Sequence, residues 1–295
     1  MRSFFTRIRA YLELLRPPLV IMDITLPAVS SILAIFLNDL DFTLSLLGKT
    51  VAVVAAAYCA IVGSYVFNDF EDIDIDKVNL PRKPLPSGKL KRIEALLFSV
   101  ALYAISIIIF SFYSLYSVIT VAAAIGVITL YSAFLKRKTP LSFIPVGIAY
   151  GLVPIGVWLA FGQLHTTALL LGFMICITDW GFTLSGVSRD VAGDKEWSVP
   201  TMPVTYGIPF TSRFIMLCWI AGIILSVFIR YSASLGILYL FIALASGFWL
   251  LWMNFRFVKE PTPEKGGRFF VQAANYRSVL FIALILDIAI RFYRR

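Results

Sequence analysis

Of the 17 acidic residues in this 295-residue chain, five fall within 69–76 and three within 190–196. In the first window, Asn68-Asp69-Phe70-Glu71-Asp72-Ile73-Asp74-Ile75-Asp76, an advance of about 100° per residue puts Asp69, Asp72 and Asp76 on one helical face. Asn68 borders that face, while Glu71 and Asp74 point elsewhere. In the second window Asp190 and Asp194 lie four residues apart and share a face. Alone, that pair is a weak signal, since acids at a helix end are often simply solvated. Carboxylates held this close repel one another and are costly to keep ionised beside a membrane unless cations neutralise them. Magnesium suits such a set, because it takes oxygen ligands, keeps several waters and bridges one or two carboxylates to substrate phosphates. The spacing therefore predicts Mg2+ and a phosphate-bearing substrate. An EF-hand is excluded, because Lys77 stands where its glycine would be and Lys83 where its terminal glutamate would be.

Cations surround both windows: Arg82, Lys83 and Lys89 after the first, Lys136 and Arg137 between them, Arg189 and Lys195 beside the second. A departing diphosphate needs such donors, although orientation in a membrane also calls for basic loops.

The elements that carry these residues are membrane spans. The chain is 59% hydrophobic and 15% charged, a composition of the membrane class. Nine stretches can each cross a hydrocarbon core of about 30 Å. They are 19–37, 51–67, 93–115, 116–135, 141–161, 166–186, 213–230, 235–255 and 273–290. Both acidic windows follow a span, the second and the sixth, and the halves read as a diverged repeat of four spans plus one. Residues 1–18 alternate arginines with Phe4, Ile8, Tyr11, Leu12 and Leu15, which reads as an interfacial helix on the bilayer rather than a cleavable leader.

Basic residues concentrate in the N-terminal segment, in 69–92, 136–138 and the loops near Arg189 and Arg256, and are nearly absent from the alternate loops. By the positive-inside rule this puts the N-terminus and the windows at 69–92 and 187–210 in the cytoplasm. Arg291, Arg294 and Arg295 fall on the opposite side, against the rule. Membrane orientation accounts for the net charge of +9 without any nucleic-acid partner. Cys59, Cys176 and Cys218 lie apart inside spans and read as packing residues, and the lone His165 has no partner that would make a metal site.

The order Asn-Asp-x-x-Asp-x-x-x-Asp over 68–76, then Asn79 and Arg82-Lys83-Pro84-Leu85-Pro86-Ser87-Gly88, closely resembles the first signature of the UbiA superfamily of intramembrane prenyltransferases. Asp190-Val-Ala-Gly-Asp194-Lys195 with Thr201-Met202-Pro203-Val204 resembles the second, Tyr131-Ser-Ala-Phe-Leu-Lys136 resembles the segment between them, and Arg16-Pro17 precedes the first span as in that family. The resemblance implies one all-α transmembrane domain over 1–295, with helices ringing a central cavity that opens toward lipid and the two motifs facing each other across it. It further implies that Asp69, Asp72, Asp76, Asp190 and Asp194 hold magnesium on a prenyl diphosphate. Asn68, Arg82, Lys83, Tyr131, Lys136 and Lys195 would then bind the diphosphate oxygens, and a lipophilic acceptor would take the prenyl group.

Three further carboxylates, Asp23, Asp179 and Asp287, lie inside spans, where an acid is costly. Asp179, about three turns from Asp190, reads either as an acceptor contact or as a structural ion pair; Asp23 and Asp287 read as structural. For the acceptor, the resemblance leans toward geranylgeranylglyceryl phosphate, the precursor of archaeal ether lipids. Aromatic quinone precursors such as 4-hydroxybenzoate, and tetrapyrroles, are the alternatives. The run Leu135-Lys-Arg-Lys-Thr-Pro140 is similar to haem-farnesylating members, which usually lack the second acid that Asp194 supplies here. A secondary transporter would account for the repeat but predicts its charged sites at mid-membrane, not at the rim.

Overall fold

The computed structural model describes residues 2–294, with side chains from 5 to 291, so Phe4 of the expected interfacial face and the side chains of Arg294 and Arg295 lie outside the described residues. Every element in it is helical. After α1 (Arg2–Leu14) come nine long helices that alternate in direction: α2 (Val20–Leu37), α3 (Leu44–Glu71), α5 (Arg92–Ser111), α6 (Leu115–Ala133), α7 (Phe143–Trp158), α8 (Thr166–Arg189), α11 (Ile208–Ser232), α12 (Ile237–Lys259) and α13 (Pro263–Arg294). The short helices α4 (Ile73–Asn79), α9 (Val191–Glu196) and α10 (Met202–Tyr206) gather at one end.

Eight of the nine are long and apolar enough to cross a membrane, and the chain is an integral, multi-pass membrane protein. The ninth, α7, has 16 residues and so spans only about 24 Å. It compensates by close packing. A Cβ placed on Gly151 would meet the Gly172 carbonyl at 2.7 Å, and one on Gly172 would meet the Gly151 carbonyl at the same distance. Only glycine lets α7 and α8 approach so nearly, as small residues do between membrane helices.

Local chemistry sets the helix ends on the face away from the acidic motifs. Thr43 accepts from the Leu46 amide and Ser114 from the Ser117 amide, satisfying donors that a helix start leaves open. His165 accepts from the Thr167 amide and stacks on Trp158, so its role is that of a cap. The three cysteines are free. Asp287 accepts the Gly236 amide at 2.8 Å and pairs with Arg291 at 3.3 Å. This tie holds α13 to the turn before α12 and neutralises Arg291, one of the C-terminal cations.

The expected interfacial helix is present with its faces redistributed. Phe5, Ile8 and Leu12 are exposed, whereas Ala10 and Leu14 are buried against Val62, Val66, Leu85, Leu90 and Ala95, with Tyr11 and Leu15 packed on that cluster. A helix lying on a protein must bury its second face there, so two residues expected to meet lipid do not.

Within the windows 69–92 and 187–210 the acids lie on helices, as their spacing predicts, and the helix is interrupted once in each motif. Asp72 (φ −94°, ψ 11°) joins α3 to α4, and Asp190 (φ −92°, ψ 11°) joins α8 to α9. The two bends have the same backbone geometry, and α4 packs against α9 across the end of the bundle.

Candidate active site

The bend at each motif interrupts the helix without rotating its acids out of register. The Asp72 amide still donates to the Asn68 carbonyl and the Asp76 amide to the Asp72 carbonyl; the Asp190 and Asp194 amides donate likewise to Gly186 and Asp190. Asp72, Asp76, Asp190 and Asp194 therefore reach one cavity of about 450 Å³. Its walls come from the end of α1 and the segment 16–19 that follows it, and from α3, α4, α6, α7, α8, α9 and α13, with Asn68, Lys83, Tyr131, Lys136 and Asp179 among the residues that line it.

Cations already neutralise the first motif. Lys136 donates to Asp72 Oδ2 at 2.5 Å, and Lys83 bridges Asp76 Oδ2 at 2.7 Å and Asp69 Oδ1 at 2.8 Å. Arg16 adds a third cation, donating to Asp69 at 3.0 Å while its guanidinium lies 4.4 Å from the Tyr65 ring centre. Arg16 does so from left-handed backbone, φ 49°, a conformation that costs a non-glycine residue about 1–3 kcal/mol and is held by its surroundings. In the second motif Arg189 grips Asp190 with two nitrogens at 2.6 and 2.7 Å, and Thr201 donates to Asp194 at 3.1 Å. Burial pushes the Asp76 and Asp194 carboxyls up to about 6, because the charged form loses hydration.

Sequence neighbours part company at this site. Lys83 turns inward while Arg82 is exposed, and Asp194 is buried while Lys195 is exposed. Arg82 and Lys195 therefore do not reach the cavity as expected. Lys195 follows Asp194 on α9, where successive residues diverge by about 100°, and Arg82 lies in the turn after α4 with its side chain exposed. Asp69 is buried beneath Lys83 and Arg16 and does not line the cavity. Lys89 pairs with Glu13, and Arg137 donates to the Glu71 carbonyl at the end of α3.

Among the described residues, no group of three His, Cys, Asp or Glu side chains is placed to hold a metal ion alone. Magnesium does not require such a cage, since one or two carboxylates, waters and phosphate oxygens complete its shell. Asp72 Oδ1 is buried with no hydrogen-bond partner, which leaves an acceptor for a cation. The residues present fit a metal held jointly by the protein and a diphosphate.

Several contributors carry weaker signals in the sequence. Asn79 links the motifs through the Asp190 carbonyl and the Gly193 amide. Arg277, inside α13, pairs with Asp179 at 2.9 Å and donates to Thr178 at 3.1 Å. Asp179 thus forms an ion pair between spans, and the same carboxylate lines the cavity. Tyr65 and Tyr150 stack at 6.5 Å between ring centres.

Beyond Tyr150 lies a smaller apolar cavity of about 40 Å³ between α3, α6 and α7. It shares Ser64, Ile128 and Tyr150 with the polar cavity. Ser64 and Tyr150 are the two polar residues of its lining, and both stand at that junction. The site thus joins a chamber lined by carboxylates and cations to an apolar cavity.

Residues 25–285 match the UbiA prenyltransferase family. The chain is 28% identical over 266 residues to the digeranylgeranylglyceryl phosphate synthase of Methanosphaera stadtmanae, covering 86% of this chain and 90% of that protein. It is 27% identical over 250 residues to the protoheme IX farnesyltransferase of Ruthia magnifica subsp. Calyptogena magnifica, covering 83% of each. The solved structure of a digeranylgeranylglyceryl phosphate synthase superposes with a TM-score of 0.70 at 24% identity, over 96% of this chain and 98% of that one. A UbiA homologue from Archaeoglobus fulgidus, bound to GPP and Mg2+, superposes at 0.58 with 16% identity, over 94% and 99%. With the family matched over most of its length and its spans and paired motifs in place, the chain is a membrane prenyltransferase of the UbiA family.

Proposed function

We propose that the protein transfers a geranylgeranyl group from geranylgeranyl diphosphate to the hydroxyl of geranylgeranylglyceryl phosphate, with magnesium assisting departure of the diphosphate. The observation that carries this reading is the junction of a carboxylate-and-cation chamber with an apolar groove. A prenyl diphosphate laid across it puts its anion among Asp72, Asp76, Asp190 and Asp194 and its tail between α3, α6 and α7.

In this reading Asp72, Asp76, Asp190 and Asp194 hold the metal, and Asp69 orients Lys83 and Arg16 from below. Bound magnesium supplies charge neutralisation for the leaving diphosphate. Lys83, Lys136, Arg16 and Arg189 supply cationic donors beside the same group, which favours ionisation of the allylic carbon–oxygen bond. Tyr65 and Tyr150 present aromatic faces at the junction where the allylic carbon lies, which favours a cation there. Apolar walls limit the access of water, which would otherwise capture it. The distribution of basic residues supports a cytoplasmic side for this end of the bundle.

Asp194 and the synthase-like relatives support the glycerol-ether acceptor. Farnesyl transfer to protohaem is the second reading, favoured by relatives of that name at similar identity. The test is transfer of labelled geranylgeranyl or farnesyl groups by the purified protein, with and without magnesium, to geranylgeranylglyceryl phosphate or to protohaem. Magnesium-dependent product with the first acceptor and none with the second is expected. The reverse pattern replaces the acceptor, and full transfer by both Asp72→Ala and Asp190→Ala removes the two-motif mechanism.

A further inference from the structure

Asp23 lies in α2 with 2% of its surface exposed. Its Oδ1 accepts the phenolic hydrogen of Tyr65 at 3.0 Å, while its Oδ2 has no hydrogen-bond partner. The nearby cation Arg277 gives its hydrogen bonds to Asp179, Thr178 and the Met22 sulfur instead. A half-satisfied carboxylate at this depth is expensive. The cost has a place in the geometry. Tyr65 lies four residues before Asp69 on α3, so about one turn, roughly 6 Å, below the diphosphate motif. It lines the polar cavity and stacks on Tyr150, whose own hydroxyl is buried without a partner at the mouth of the apolar groove. Tyr65 is thus hydrogen-bonded to a buried carboxylate while it lines the polar cavity and stacks on Tyr150, which stands at the junction of the two cavities.

We propose that Tyr65 and Asp23 take up the proton that the acceptor hydroxyl loses as it is alkylated; this rests on the function proposed above. The allylic carbon–oxygen bond breaks and its electron pair leaves with the diphosphate. A lone pair of the acceptor oxygen forms the new carbon–oxygen bond. The acceptor O–H proton passes to the Tyr65 oxygen as the Tyr65 proton passes to Asp23, leaving a neutral carboxyl that later returns its proton to water. Tyr65 is the catalytic residue, and Asp23 acts through it.

The Asp23→Asn variant separates this role from a structural one, because an amide oxygen still accepts the Tyr65 hydrogen bond but cannot take a proton. With magnesium, geranylgeranyl diphosphate and geranylgeranylglyceryl phosphate, kcat is expected to fall about a hundredfold, in the range of general-base losses. Labelled geranylgeranyl diphosphate should still bind with unchanged affinity, and a larger share of consumed donor should appear as geranylgeraniol. Tyr65→Phe is expected to show the same split between binding and turnover. Unchanged kcat in Asp23→Asn overturns the proposal, as does loss of donor binding in step with kcat in both variants. If the unsubstituted enzyme fails to alkylate this acceptor, the proposed function falls and takes the relay with it. Failure of the relay alone leaves that activity intact and Asp23→Asn as fast as the parent.

Discussion

Asn79 joins the two acidic motifs directly: its Nδ2 donates to the Asp190 carbonyl at 2.8 Å and its Oδ1 accepts the Gly193 amide at 2.8 Å. The last residue of α4 is thereby pinned to the start of α9, and the distance between the motifs is fixed before any ligand arrives. Gly193 is the residue that allows it, since a Cβ there would meet the Asn79 side chain at 2.6 Å. Replacing Asn79 by Ala removes two hydrogen bonds, about 1–3 kcal/mol together. Binding of labelled prenyl diphosphate in saturating magnesium is expected to weaken about tenfold or more in Asn79→Ala. Gly193→Ala should behave alike, and normal binding in both would show that the motifs need no such tie.

The Asp76 and Asp194 carboxyls, raised to about 6 by burial, predict how magnesium binding depends on pH. A group whose pKa is raised on folding contributes stability below its unfolded value, near 4, and loses that contribution as pH rises through its folded value. The metal-free site thus favours protons between about pH 4 and 6, whereas a metal requires the ionised carboxylates. Magnesium affinity in the presence of prenyl diphosphate should rise with pH up to about 6 and level off above it. Calorimetry in buffers of different ionisation heat should detect proton release near pH 5.5 and little near pH 8. Affinity that is flat across this range would assign the metal to other ligands.

The spans, the paired motifs and the family were legible because each rests on periodicity or on residue type at fixed spacing. The helix break at Asp72, matched at Asp190, was not, since the i to i+4 bonding continues through it and the acids stay on their face. For Lys195 and Arg82 the motif resemblance gives position in the chain but not side-chain direction, and both are exposed. Side-chain direction depends on where each short helix docks, and α4 and α9 dock against each other through contacts distant in sequence. Arg277 carries a signal in the sequence, a cation inside the apolar stretch 273–290, but its pairing with Asp179, 98 residues away, is set by the packing of α13 against α8. The structural roles of Asp179 and Asp287 follow from partners on other helices, Arg277 for the first and the Gly236 amide for the second, that only folding brings near.

Arg277 and Asp179 form an ion pair with both partners almost fully buried, so removing one leaves an uncompensated charge in the bundle. Arg277→Met is expected to cost about 3–5 kcal/mol, whereas the double variant with Asp179→Leu should recover much of that loss. Thermal unfolding in detergent, compared across the four members of the cycle, measures it. Because Asp179 also lines the cavity, the double variant discriminates between its two roles. Restored stability with normal kcat/KM for the acceptor would leave the pair purely structural, and restored stability with raised acceptor KM would give Asp179 a contact with the acceptor.

If the prenyl tail follows the apolar cavity, as in the proposed function, the lining of that cavity governs donor length. Its lining runs from Ser64 back to Ala57 on α3, from Ile128 back to Val121 on α6 and from Tyr150 on to Val157 on α7. That is the same seven-residue step on each helix, about 10 Å of depth. Phe110, from α5, also lines it and is 2% exposed, while Ala57, Ala60, Ala124, Ala149 and Gly156 keep it open. Ala124→Phe fills the middle of the groove, and its overpacking is expected to cost about 1–3 kcal/mol of stability. Transfer from dimethylallyl diphosphate should change little, because a single isoprene unit stays near Tyr150, while transfer from geranylgeranyl diphosphate should fall at least tenfold. Competition between the two donors in one reaction reads the ratio directly and cancels any general loss of active enzyme. A ratio equal to that of the parent would mean that the tail leaves the polar chamber by another route.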